Sequence, residues 1–177
     1  MMNSQLPMAE RLQAAVQSSL FYSGWYPRLW LPARDHVAWQ PRLAKPMRWA
    51  RRTTQRLART LFHAMAFYGP KLEREQVLLG RFVDIGTELF AMVATAARAQ
   101  ALSQQGQAAG EYDPVELATY FCRNAQLRIE GLFRVIRDNN DRAGYRLAQQ
   151  VMAGELEWLE QGIVCRGGTE PAEQPKS

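Results

Sequence analysis

Two histidines, two cysteines and one pair of carboxylates a helical turn apart are the side chains from which chemistry could be built in this 177-residue sequence. Asp84 and Glu88 stand four residues apart, so on a helix they share a face, and a paired acid can do general acid–base work. Arg81, three residues before Asp84, favours a plainer role for them as salt-bridging flank residues. A dinuclear metal centre in a helical protein needs inward carboxylates and Glu-x-x-His pairs. The residues three before His36 and His63 are Ala33 and Thr60, so the motif is absent. Cys122 and Cys165 lack the C-x-x-C spacing of a metal or redox site, and Cys122 reads as a small core residue. No glycine-rich phosphate cradle occurs. The sequence therefore assigns no catalytic, cofactor-binding or metal-ligating residue to this chain.

The informative chemistry is of another kind. Four of the five tryptophans, Trp25, Trp30, Trp39 and Trp49, fall in residues 24–52. The window 24–62 holds nine Lys/Arg (Arg28, Arg34, Arg42, Lys45, Arg48, Arg51, Arg52, Arg56, Arg59) against one acid, Asp35, a net +8. The rest of the chain, with thirteen basic and sixteen acidic residues, carries −3. Such polarity points to a partner made of phosphate, either an anionic membrane surface or nucleic acid. Tryptophan favours the headgroup level of a bilayer, and arginine near anionic lipid gains about 1 kcal/mol per charge. Trp25, Trp30, Trp39, Arg48, Trp49, Arg52, Arg56 and Arg59 are accordingly expected to face membrane or phosphate. Tryptophan and arginine are also the residues enriched where one protein docks on another. A nucleic-acid partner ranks below both. The longest charge-free stretch, residues 12–27, is too short to span a bilayer, and no secretory leader is visible. The chain is expected to be intracellular and to lie on a membrane, without crossing it.

These side chains must be carried by helices, because no alternating Val/Ile/Thr-rich run predicts a strand. Residues 1–23 predict an N-terminal helix. Residues 24–46, broken by prolines at 27, 32, 41 and 46, predict a Trp/Arg/Pro-rich arm of loop and short turns. From Lys45 to Tyr68 a helix is expected, with Met47, Ala50, Leu57, Leu61, Met65 and Tyr68 on one side and Lys45, Arg48, Arg52, Arg56, Arg59 and His63 opposite. A second helix is expected from about Pro70, with a core face of Leu72, Leu79, Phe82, Val83, Gly86, Phe90, Val93 and Ala97 and with Gly86 admitting a close neighbour. Asp113-Pro114-Val115-Glu116 is a helix start with cap, first-turn proline and capping-box acid. The helix after it is expected to bury Leu117, Phe121, Cys122, Ala125, Ile129, Leu132, Phe133 and Ile136. A fourth, at about 142–161, uses Leu147, Val151, Leu156, Trp158 and Leu159. Residues 165–177 predict a disordered tail. The expectation is all-α: an antiparallel four-helix bundle, residues 47–164, behind a basic Trp/Pro-rich N-terminal extension.

Residues 75–99 (EQVLLGRFVDIGTELFAMVATAARA) carry a resemblance to a known family. Glu75-Gln76, Leu79, Arg81, Asp84, Leu89, Phe90, Met92 and Arg98-Ala99 are similar to the C-terminal helical domain of the very-long-chain branch of acyl-CoA dehydrogenases. Residues 117–137, with Phe121-Cys122, resemble the helix that follows there. The resemblance covers roughly residues 57–164. It implies a non-catalytic accessory domain for core packing, dimerisation and membrane-surface attachment in long-chain fatty-acid β-oxidation. FAD and the glutamate base would belong to an acyl-CoA dehydrogenase catalytic core, on the same or a separate polypeptide, and an anionic membrane surface and a homodimer would be further partners. The alternative is a free-standing basic helical protein, an adaptor at nucleic acid or a membrane surface.

Overall fold

The computed structural model of the protein describes residues 22–31, 37–105 and 113–160. The expected N-terminal helix before residue 22, the middle of the arm and the tail from 165 lie outside them. The chain divides into two units, Met1–Asp138 and Asn139–Ser177. In the first, a helical stretch over 22–28 precedes α1, Pro41–Tyr68, α2, Gln76–Gln104, and α3, Pro114–Arg137. A six-residue 3-10 turn, Gly69–Arg74, joins α1 to α2. The all-α bundle expected from the sequence is what forms, and among the described residues there is no strand.

Side-chain bonds give the directions of the helices. Gln40, at the start of α1, bonds through its backbone N–H to Gln100 Oε1 (3.1 Å) and through its amide to Ser103 (2.9 Å), near the end of α2, so α1 and α2 are antiparallel. Arg128, late in α3, reaches Glu88, early in α2, and Cys122 donates to the Met92 carbonyl, so α2 and α3 are antiparallel too. Arg42 meets Asp113 and Arg56 meets Glu130, which sets α1 and α3 side by side in parallel.

The helix starts follow from local chemistry. Asp113 caps α3, its carboxylate accepting from the Val115 N–H at 2.9 Å, with Pro114 in the first turn as its motif predicts. The first long helix begins at Pro41, four residues before the expected start. Pro41 occupies the first turn, where a missing N–H costs nothing, and Pro46 is tolerated within the helix as a buried residue. The arm is thus shorter than 24–46, and its beginning is helical over 22–28. Gly69, at φ 52°, ends α1 in a conformation that L side chains rarely adopt.

The core is a single seam. Leu43, Met47 and Ala50 of α1 meet Ile85, Leu89, Met92, Ala96 and Ala99 of α2 and Val115, Ala118, Cys122, Ala125, Ile129 and Phe133 of α3. Five alanines in this set let the backbones approach closely. On α3 most of the expected stripe is inward, with Phe121, Leu132 and Ile136 packed on its edge, but Leu117 is exposed. On α2 the expected face is wrong. Phe82 is buried, but Val83, Phe90 (75% exposed) and Val93 point out, and the inward residues are Leu78, Ile85, Leu89, Met92, Ala96 and Ala99. Gly86 does not mark a close approach, because a Cβ there would meet nothing within 4 Å.

The second unit holds α4, Asp141–Met152, and a 3-10 turn, Glu157–Glu160. The fourth helix stops nine residues before the expected 161. Gly154 takes φ 76°, its N–H bonds the Val151 carbonyl, and the Glu155 N–H bonds the Gln150 carbonyl. That pair of bonds is a Schellman stop, which needs a left-handed residue at Gly154. α4 has no buried residue; Leu147, Val151, Trp158 and Leu159 are exposed.

Burial separates two large apolar residues on α2. Ile85→Ala should cost about 2–5 kcal/mol of stability by leaving a cavity. Phe90→Ser should stay within about 0.5 kcal/mol in the isolated chain. Urea unfolding of the two variants checks which stripe of α2 is internal.

Candidate functional site

The segment before α1 lies on that helix through a ring cluster. Tyr26 packs at a tilt against Phe62 with centroids 5.0 Å apart, Trp25 lies 6.1 Å from Phe62, and Tyr22 lies against both Trp25 and Phe62. The Tyr26 hydroxyl and His63 Nε2 are 2.7 Å apart. Gln55 donates to the Leu31 carbonyl, and Arg59 donates to the Leu29 carbonyl while its guanidinium sits 4.4 Å above the Trp30 ring. That contact is a cation–π pair. Trp30 remains 64% exposed and Leu31 61% exposed beside it.

The second half of the basic window meets α3. Arg56 makes two bonds of 2.9 Å to the Glu130 carboxylate, with its guanidinium 3.9 Å above Phe133. At the other end of the same contact Arg42 donates to Asp113 at 2.6 Å. Between these clamps lies an open cavity of about 520 Å³. Trp49, Pro46, Thr119 and Gln126 contribute to its walls, and Lys45, Arg48, Arg52 and Arg123 bring positive charge to it. Arg42 closes one side. No carboxylate lines it, and Arg48, Arg52 and Arg123 are exposed with no ion-pair partner among the described residues. Water can enter freely, and the half-buried Trp49 indole presents an apolar wall.

The eight sequence-selected residues are thus divided. Arg48, Trp49 and Arg52 share the cavity. Trp25, Trp30 and Arg59 belong to the ring cluster. Arg56 is occupied by Glu130, and Trp39 packs half-buried against the core. Arg123 escaped the sequence reading because it lies on another helix; a helical wheel cannot show which residue of a distant segment comes alongside. Tyr22, Tyr26 and Phe62 were missed for the same reason.

Glu88 is held by Arg128 through bonds of 2.6 and 2.8 Å, and this keeps its carboxyl below the usual carboxylate range. Its ion-pair partner comes from α3. Burial pushes the Cys122 thiol up, away from a reactive thiolate. Among the described residues no group of three His, Cys, Asp or Glu is placed to hold a metal, and no helix is long and apolar enough to cross a membrane.

The family model described as ACAD9/ACADV, C-terminal domain, matches residues 41–157. The chain is 40% identical to the probable acyl-CoA dehydrogenase FadE10 of Mycobacterium bovis and to that of Mycobacterium tuberculosis, over 96% of its own length. It spans 26% of the length of these relatives. No solved structure matches it.

The Glu88–Arg128 pair has a consequence for acid stability. A carboxyl whose pKa is lower folded than unfolded stabilises the protein fully above its unfolded value, about 4.3, and loses that contribution as pH falls through the folded value. Arg128 is half exposed, so the effect is about 0.2–1 kcal/mol. Glu88→Gln should therefore lower stability at pH 6 and converge on the unsubstituted chain near pH 3, measured by urea midpoints at both pH values.

Proposed function

Because the chain belongs to the ACAD9/ACADV C-terminal-domain family of acyl-CoA dehydrogenases, we propose that it serves as the accessory, non-catalytic domain of a long-chain acyl-CoA dehydrogenase and attaches that enzyme to an anionic membrane surface. The observation that carries the attachment is the presence on one unit of exposed Trp30 and Leu31 together with Arg48 and Arg52, exposed cations that have no ion-pair partner among the described residues. An aromatic ring at headgroup depth and guanidinium groups at lipid phosphates would act together there. A chain that spans about a quarter of its relatives is expected to dock on the remainder. The outward stripe of Val83, Phe90 and Val93 on α2 offers an apolar face for that core or for a second copy in a homodimer.

FAD belongs, on this reading, to the catalytic core. The contribution of this chain is therefore location and assembly. The redox step takes place elsewhere.

Two measurements test the reading. Co-sedimentation with vesicles of phosphatidylcholine and phosphatidylserine should retain the chain at low salt. Replacing Arg48 and Arg52 together by glutamine should weaken binding by about tenfold or more, at roughly 1 kcal/mol per charge. Trp30→Ala should weaken it further without changing helicity. Retention that ignores all three substitutions overturns the attachment. Native isolation of the chain with its partners should give material with flavin absorbance, and colourless chain alone removes the dehydrogenase partner.

A further inference from the structure

Along the contact of α1 with α3, acid answers base at both ends and fails in the middle. Arg42 has Asp113 and Arg56 has Glu130. From Leu117 to Ile129 α3 contains no acid, and α1 contains none from Pro41 to Tyr68. In that gap Arg123 of α3 joins Lys45, Arg48 and Arg52 of α1 around one cavity. Four like charges on two packed helices repel, and a surface designed for stability alone would place Asp or Glu on α3 here, as it does at Glu130. Local rules are broken in this way where a ligand supplies what the chain withholds.

The cavity has the size of a small-ligand site. Its volume, about 520 Å³, falls in the range of such pockets. Guanidinium groups present planar forks that match phosphate oxygens, whereas lysine supplies a point charge. Three arginines and a lysine around the Trp49 wall suit a group of two or more negative charges with a flat or apolar body next to it. We infer that the cavity between α1 and α3 is a binding site for a phosphomonoester or pyrophosphate group, with Arg123, Arg52, Arg48 and Lys45 as its ligands and Trp49 beside it. The group can come from a soluble organic phosphate such as a nucleoside diphosphate, or from a lipid headgroup ending in a phosphomonoester. The second source rests on the membrane reading above; the first is independent of it.

Isothermal titration calorimetry of the 177-residue chain with inorganic pyrophosphate tests the soluble arm. Saturable one-site binding, weakened about tenfold by Arg123→Gln and again by Lys45→Gln, is expected. Both residues are exposed, so circular dichroism should show unchanged helicity. The lipid arm compares vesicles containing phosphatidic acid with vesicles containing phosphatidylserine, matched in surface charge. If the headgroup is the ligand, Arg123→Gln weakens retention on phosphatidic acid clearly more than on phosphatidylserine, where only the general loss of one charge is felt. If the ligand is soluble, pyrophosphate binding depends on Arg123 and the two vesicles respond to the substitution alike. Pyrophosphate binding that ignores Arg123, with equal response of the two vesicles, overturns the site, even where Trp30-dependent binding to phosphatidylserine persists and the membrane reading stands.

Discussion

Close packing of α2 on α3 is the constraint on which the first unit depends. Ile85, Leu89 and Met92 run against Cys122, Ala125 and Ile129, and where the helices carry Ala96, Ala99 and Ala118 no bulky side chain keeps the backbones apart. Nothing polar interrupts this seam except the Cys122 thiol, which finds the Met92 carbonyl. α1 closes the core with Leu43, Met47 and Ala50 of its first three turns and with Leu57 packed on the edge. Its last turns carry the ring cluster at Phe62 and His63. The position of every cation of interest follows from that short line of apolar contact.

Ion pairs then fix what the apolar seam leaves undetermined. Hydrophobic contact between helices is non-directional and tolerates sliding, whereas the two bonds of Arg56 Nη1 to the Glu130 carboxylate and the Arg42 bond to Asp113 are met at one alignment. Both are partly or fully open to solvent and contribute little to stability, of order 0.2–1 kcal/mol. Their effect is alignment of α1 along α3, and it is this alignment that brings Arg123 among the α1 cations. The Arg128–Glu88 fork does the same for α2 and α3.

What the sequence made legible had a local cause. α3 was readable because its cap, proline and capping-box acid are contiguous, and because its apolar residues form one stripe broad enough to tolerate a small phase error, with only Leu117 misplaced. α4 was placed but overextended, since a glycine mid-helix and a glycine at a left-handed stop have the same letter. The candidate site was half legible. Clustering of Trp and Arg in one window is a property of the sequence, and it led to Arg48, Trp49 and Arg52. Which of those arginines stay available was not, because Glu130 and the Leu29 carbonyl that occupy Arg56 and Arg59 lie far along the chain or in its backbone.

The misphased face of α2 has a physical reason. That helix carries two apolar stripes, one through Ile85, Leu89, Met92, Ala96 and Ala99, the other through Val83, Phe90 and Val93, and periodicity alone gives them equal standing. Apolar bulk separates them. The first places Leu78, Phe82, Ile85, Leu89 and Met92 in unbroken succession before Ala96 and Ala99, whereas the second is interrupted at Gly86 and also ends in an alanine, Ala97. Burial of the larger continuous apolar surface therefore selects the first for the interior. The second stripe is then left at the surface with residues of the kind found in the centres of protein interfaces, and Leu117, Tyr120 and Leu127 of α3 are exposed as well. Among the described residues the seam buries one face of α2, and the other face remains exposed.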